Sequence, residues 1–175
     1  TGKAKMMKIK KDVLLELPDK TRSFLQLDLS SRSEYNKAEQ DFLGWLRLRA
    51  PGKASRAERA ERLVKAGYLK RLAAQLKLPQ VMEWTENFLA ESDEKVVLFC
   101  VHKKVVHSLY ERFKGVSVVV DGSITGSDRQ RAVDVFQNNK KTRVFIGNIQ
   151  AAGIGLNLTA ASTLAFVELA WTPGA

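Results

Sequence analysis

Residues 95–101, "KVVLFCV", form an uninterrupted apolar run behind one lysine. Such a run is typical of a strand in a parallel sheet, because helices cover both faces of that strand and no alternation with polar residues is needed. Runs of the same kind recur later in the chain, as "VSVVVDG" (116–122), "TRVFIGN" (142–148) and "TLAFVEL" (163–169). The pattern therefore predicts four strands from residue 95 onward.

Helical patterns separate these runs. The segment after the first run has helical spacing of its apolar residues, which are Val105, Val106, Leu109, Tyr110 and Phe113. "SDRQRAVDVF" (127–136) predicts a second helix, in which Ser127 and Gln130 have the spacing of a capping box. Strands that alternate with helices predict an α/β fold with a parallel sheet.

The first half of the chain has a different pattern. Residues 24–29 alternate between apolar and polar, which predicts a short, half-buried strand. Helical periodicity follows over 34–48 and 55–76, and Pro79 is expected to begin a third helix. Three serines can cap the first of these helices: Ser30, Ser31 and Ser33. A mainly helical segment is therefore predicted before the sheet.

Positive charge is concentrated in this helical segment. The formal net charge of the chain is +10, and residues 47–77 hold ten Lys and Arg against two Glu. A polyanionic partner such as nucleic acid would explain the excess, because neutralising phosphates releases counterions. A solvated helical face that keeps the protein soluble explains it as well. Charge alone leaves both explanations open.

Composition argues against several classes of protein. Cys100 is the single cysteine, so we expect no disulfide partner, and with His102 and His107 as the only histidines we expect no metal site. No stretch of about 18 apolar residues indicates a membrane span, and no apolar core of a signal peptide is visible near the N-terminus. An intracellular protein is expected, located in the nucleus of a eukaryote or in the cytoplasm or nucleoid of a prokaryote.

The loops after the strands are the candidate site. In open α/β sheets, ligands bind outside the carboxyl ends of the strands. The predicted strand ends carry "CVHKK", "DGS", "GNIQAAGIG" and "ELAWTPG". These loops offer cations, hydroxyls and backbone amides rather than a nucleophile paired with a base. Such an inventory is better suited to holding phosphates than to breaking bonds.

The small-residue loop 151–155 has two interpretations. Its glycines would let the backbone approach an anion closely, or they would form a tight turn. The loop is not a phosphate-binding Walker A loop, because no "GK[ST]" occurs in the printed sequence.

Several single polar and aromatic residues also allow two interpretations. Asp121 is expected to organise the "DGS" turn rather than to act as an acid. No carboxylate is close to His102 in the sequence, which favours a backbone or phosphate contact over a proton shuttle. Trp45 and Trp84 are expected in the core, whereas Trp171 is equally compatible with a buried and with an exposed position.

The ordered set of motifs resembles one family. "VVLFCVHKKVV", "VVVDGSITGSDRQRAVDVFQ", "VFIGNIQAAGIGLNLTAAS" and "LAFVELAWTPG" look like motifs IV, IVa, V and Va of the second RecA-like lobe of superfamily-two helicases. "GLNLTAAS" and "WTPG" resemble the SWI/SNF-type DNA translocases, and "NIQAAGIG" with "ELAWTPG" resembles their annealing-helicase (HARP-like) branch. "KKDVLLELPDKTR" resembles the connector after the first lobe.

The resemblance implies an organisation and a mechanism. Residues 1–33 would be the inter-lobe connector and first strand, 34–91 a helical, basic segment, and 92–175 an incomplete RecA-like C-terminal lobe. Two such lobes would close on ATP, Mg²⁺ and double-stranded or forked DNA, and hydrolysis would move the protein along the duplex. The partner of this lobe would be the first RecA-like lobe of the same protein.

The resemblance also implies site residues. The positions that match the nucleotide-facing side of motif V are Gly153, Gly155 and Asn157. The positions implied to contact DNA are His102, Lys103, Gly122, Ser123, Gln150 and Trp171, and the basic segment adds Arg56, Arg59 and Arg62. Asn148-Ile149 replaces the Ser-Thr of many relatives, and Glu168 replaces an Asp.

Walker A, Walker B and the arginines of motif VI are not in the printed sequence, so we expect that the chain cannot hydrolyse ATP alone. Two alternatives remain at this point: the C-terminal lobe of an RNA helicase, and a non-catalytic nucleic-acid-binding module.

Overall fold

A computed structural model describes residues 21–49, 61–152 and 155–168 of the 175-residue chain. The helices are α1 (Arg32–Gln40), α2 (Phe42–Arg49), α3 (Glu61–Glu91), α4 (Lys103–Arg112), α5 (Gly126–Asn138) and α6 (Ile149–Ala152). The strands are β1 (Lys95–Cys100), β2 (Ser117–Val120), β3 (Val144–Asn148) and β4 (Ala161–Phe166).

The four strands form one parallel sheet in the order β2-β3-β1-β4. Val97 of β1 lies opposite Phe145 of β3 and Leu164 of β4. The predicted α/β fold with a parallel sheet is confirmed. The fourth strand begins at residue 161, two residues before its predicted start.

Strand β1 is covered on both faces, as its apolar run predicts. Val96, Leu98 and Cys100 belong to a core cluster with residues of α3 and α4. On the other face, Val97 packs in a second cluster with residues of α5 and α6. Cys100 is fully buried in the first cluster.

Two basic side chains bind helix carboxyl ends at the amino edge of the sheet. The Arg143 guanidinium donates to the carbonyls of Leu89 (2.9 Å) and Glu94 (3.1 Å) and also to that of Ser92. The Lys95 ammonium donates to the carbonyls of Asn139 (2.8 Å) and Phe136. The carbonyls that accept these bonds lie in the last turns of α3 and α5 or just after them, where no backbone N–H of the helix is available as a donor.

The predicted strand over residues 24–29 is wrong, since this segment is not a strand in the structure. Phe24 is 95% exposed, while Leu27 packs against the cluster between the sheet and helices α3 and α4, and Leu29 packs against a cluster of α1 and α3. The Ser30 N–H donates to the Leu76 carbonyl at 2.9 Å. The alternation therefore reflects a segment that packs two of its leucines on buried clusters without pairing with a strand.

The predicted helix over 34–48 is divided at Asp41. Ser31 caps α1 as predicted and accepts from the Glu34 N–H. The Asp41 carboxylate accepts from the Gly44 N–H at 3.0 Å, which satisfies a free donor in the first turn of α2. An aspartate that competes for backbone donors therefore ends one helix and starts the next.

Pro79 does not begin a helix, because α3 runs through it over 31 residues. Leu76 and Val81 are buried on either side of the proline. Packing on both sides thus outweighs the missing hydrogen bond. Trp84 stacks on Phe88 with ring centroids 5.8 Å apart, beside the core, as predicted.

The capping box predicted at Ser127 and Gln130 is also wrong. Helix α5 begins earlier, at Gly126, with Thr125 as its N-cap. The Gln130 amide donates instead to Asp134 at 2.8 Å. The boundary that we predicted between the helical segment and the lobe, near residue 91, stays a prediction.

Gly147 is expected to tolerate no side chain. A Cβ built there would lie 2.8 Å from Phe99 Cε1 and 3.0 Å from the Ala152 Cβ. The Phe99 ring is restrained by stacking on Phe166, with centroids 5.9 Å apart. Gly147→Ala should therefore lower the free energy of unfolding by about 1–3 kcal/mol, measured by urea denaturation.

Gly67→Ala is the matched control. Gly67 lies inside α3, and in the part of the chain that the structure describes nothing lies within 4 Å of a Cβ built on it. This substitution should raise the free energy of unfolding by about 0.5–1 kcal/mol, because alanine loses less backbone entropy in a helix. Equal urea midpoints for Gly147→Ala and the wild type would contradict the steric argument.

Candidate functional site

The parallel sheet brings three of the predicted loops to one edge. His102 and Lys103 follow β1, Gly122 and Ser123 follow β2, and Gln150 lies on α6 directly after β3. Helices α4 and α5 begin at this edge, so their partial positive ends lie there too. The structure thus collects these candidate residues at the carboxyl edge of the sheet; their contacts with DNA stay predictions.

The turn after β2 is organised by Asp121, as predicted. One oxygen of its carboxylate accepts from the Ser123 N–H at 2.8 Å and from the Ser123 hydroxyl. These two hydrogen bonds, with a smaller contribution from the charge of Lys103, hold the pKa of Asp121 below its usual value. Because its proton is committed to Asp121, the Ser123 hydroxyl can only accept from a ligand while this bond lasts.

The turn after β1 is organised by a residue distant in the sequence. Glu168, beyond β4, accepts through Oε2 from the backbone N–H groups of Val101 and His102, both at 2.9 Å. Its other oxygen, Oε1, contacts the Nδ1 atom of His102. No carboxylate is close to His102 in the sequence, but the sheet brings Glu168 to it across 66 positions.

The charge of Glu168 also affects Cys100. Burial raises the pKa of this thiol far above its usual value, and the nearby negative charge of Glu168 raises it further. Cys100 is thus held as a neutral thiol, and a neutral thiol is not a nucleophile.

Asn148 supports the same turn from β3. Its amide Nδ2 donates to the Val101 carbonyl at 2.7 Å, and its Oδ1 accepts from the Gln150 N–H at 3.0 Å. Val101 is therefore held through its N–H by Glu168 and through its carbonyl by Asn148. Sequence reasoning missed this role, since it treated Asn148 only as a departure from the Ser of relatives. The signal available in the sequence was the position of the Asn148 amide at the end of an apolar strand, where a polar side chain must find hydrogen-bond partners.

The loop after α6 has an anchored part and an open part. The Gln137 amide of α5 donates to the Asn157 carbonyl (2.9 Å) and the Thr159 hydroxyl (3.1 Å), and its oxygen accepts from the Ala160 N–H (2.7 Å). Gly155 is exposed and has a φ of +73°, and no atom of the described residues lies within 4 Å of a Cβ built on it. The backbone at Gly155 is thus open to a close approach by a ligand.

The nucleotide-facing role predicted for this loop stays a prediction. Asn157 is exposed beside Gly155, whereas Gly153 lies outside the described residues. Residues 144–168 contain no Lys or Arg, so this stretch has no cation for the phosphates of a nucleotide. Within the described ranges, no group of three or more His, Cys, Asp or Glu could hold a metal ion.

Other predicted site residues lie at the limits of the described chain. Arg56, Arg59 and Trp171 are outside it, and Arg62 lies on α3 with its side chain not described. The side chain of Trp45 is likewise not described. None of the helices in the described part of the chain combines the length and apolar content that a membrane span requires.

Comparison with known proteins gives the family. Residues 77–175 match the model of the helicase conserved C-terminal domain. The human "DNA annealing helicase and endonuclease ZRANB3" is 31% identical over 170 residues, which are 95% of this chain and 16% of that protein. The Xenopus tropicalis "SWI/SNF-related matrix-associated actin-dependent regulator of chromatin subfamily A-like protein 1" is 29% identical over 95% of this chain and 18% of its own length.

This chain therefore spans less than a fifth of the length of either relative. Among solved structures, the "Sulfolobus solfataricus SWI2/SNF2 ATPase C-terminal domain" superposes with a TM-score of 0.51 at 20% identity, covering 60% of this chain and 54% of that one. This likeness supports the RecA-like fold. The chain belongs to the helicase conserved C-terminal domain family, on its SWI/SNF-type, annealing-helicase branch.

Proposed function

We propose that this chain is the second motor lobe of an ATP-dependent double-stranded DNA translocase or helicase of the annealing type. The observation that carries the proposal is the meeting of the β1, β2 and β3 loops at one edge of the sheet. That edge offers the cation of Lys103 and the amino ends of two helices, which suits a phosphate backbone.

The names of the relatives support DNA as the substrate. One of them is called a DNA annealing helicase, and this chain covers 16% of its length. His102, Lys103, Gly122 and Gln150 would contact the backbone of duplex or forked DNA. Ser123 would do so once its hydroxyl leaves Asp121 and donates to a phosphate instead. Arg56, Arg59, Arg62 and Trp171 would extend the contact.

The nucleotide would be shared between two lobes. The open backbone at Gly155, with Gly153 and Asn157, would cover one side of ATP. The loop itself has no cation for the phosphates, so the first RecA-like lobe would bind them and the Mg²⁺ ion. Bound ATP would supply the free energy that shifts the two lobes between open and closed arrangements.

The first test is the dependence of DNA binding on salt. If about four phosphates are neutralised, affinity for a fluorescent duplex should fall roughly 100-fold between about 50 and 200 mM salt. Reversing Arg56, Arg59 and Arg62 to Glu should lower the slope of log affinity against log salt by about three, measured by fluorescence anisotropy.

The matched control reverses Lys114, Lys140 and Lys141 to Glu. These exposed lysines precede β2 and β3, at the opposite edge of the sheet, and the change in charge is the same. The control should keep most of the salt dependence. Binding that is insensitive to salt, or equal losses in both variants, would contradict a DNA surface on the basic segment.

The second test concerns catalysis. We expect this chain alone to release no phosphate from ATP, with or without duplex DNA, because the printed sequence lacks the Walker loops and the motif VI arginines. A coupled phosphate-release assay measures this. Turnover that scales with chain concentration and rises with DNA would show that the site is not shared. DNA binding by the full-length protein without any ATP turnover would instead support the non-catalytic binding module.

A further inference from the structure

The pairing of His102 with Glu168 determines which ring nitrogen carries the proton. The Glu168 side chain is 7% exposed and the His102 side chain 22% exposed, so the contact is largely shielded from water. One oxygen of the Glu168 carboxylate already accepts two backbone N–H groups. An ionised carboxylate only accepts, so Nδ1 of His102 must donate to it.

This tautomer restricts what the imidazole can bind. With Nδ1 protonated, a neutral ring has only a lone pair at Nε2, and a phosphate oxygen is also an acceptor. The two would repel each other. A second proton, taken from water by the Nε2 lone pair, converts the ring into an imidazolium that can donate to phosphate.

The charged surroundings of His102 are mixed. On β1, Cys100 is a neutral thiol, and on β3 the facing residue is the uncharged Asn148. The amino end of α4 and the adjacent Lys103 carry positive charge and therefore repel a positively charged imidazole ring. The negative charge of Glu168, beyond β4, attracts the ring instead. The negative charge of Asp121, after β2, attracts Lys103.

We propose that His102 binds a DNA phosphate only as the imidazolium, with Glu168 as the positioning residue that holds Nδ1–H and leaves Nε2–H for the phosphate. This inference rests on the proposed function, namely that the chain binds DNA through this edge. The proposal predicts that DNA affinity falls as pH rises, because the complex holds one more proton than the free chain.

The tautomer is tested first, without DNA, by two-bond ¹H–¹⁵N NMR of the histidine rings at a pH where they are neutral. The wild type should show His102 as the Nδ1–H form. His107→Gln, which removes the only other histidine, assigns the signals. Glu168→Gln should shift His102 toward the Nε2–H form, since an amide can donate to Nδ1. An Nε2–H ring in the wild type would overturn the proposal.

DNA affinity is then measured from about pH 5.5 to 8 at low salt. Wild type and His107→Gln should bind about tenfold more weakly at the upper end, the equivalent of one charge-assisted contact. His102→Gln keeps Glu168 and should bind with a flat profile. If His102→Gln retains the wild-type pH dependence, the inference fails while the proposed function stands. If the wild type binds no DNA at any pH, the proposed function itself fails.

Discussion

Burial of β1 on both faces is the constraint on which the rest of the structure depends. Val96 and Leu98 pack against α3 and α4, and Val97 packs against α5 and α6. A strand covered in this way has its neighbours joined by helical crossovers, and the pairings with β3 and β4 are parallel. Parallel strands in turn place every following loop at the same edge of the sheet, which is where the candidate site lies.

The same arrangement distributes charge differently at the two edges of the sheet. At the amino edge, Arg143 and Lys95 donate to carbonyls at the ends of α3 and α5. At the carboxyl edge, α4 and α5 begin, and the partial positive charge of their free N–H groups favours anions. Cations of the chain therefore offset negative helix ends on one edge, whereas a phosphate-bearing ligand would complement the positive ends on the other.

The turn at Val101 connects three strands of this edge. Glu168 from beyond β4 holds its N–H, and Asn148 from β3 holds its carbonyl. A shift of either strand end would therefore move His102 at the start of α4. The buried side chains of Glu168 and Asn148 thus fix the position of His102, one of the candidate DNA-binding residues. Removing either side chain would leave the hydrogen-bond partners of the other network members unsatisfied.

Much of the fold was predictable from the sequence, because local pattern and burial agree for β1, the later strands and the helices between them. The apolar runs determined the parallel α/β class, and Asp121 in "DGS" determined its own turn. Local pattern misled where packing overrides it: Pro79 lies within a helix because Leu76 and Val81 are buried around it. Residues 24–29 alternate between apolar and polar but do not form a strand, because Leu27 and Leu29 pack on buried clusters instead. The contact between His102 and Glu168 was decided only by the tertiary structure, because 66 positions separate the two and the sheet order alone makes them neighbours.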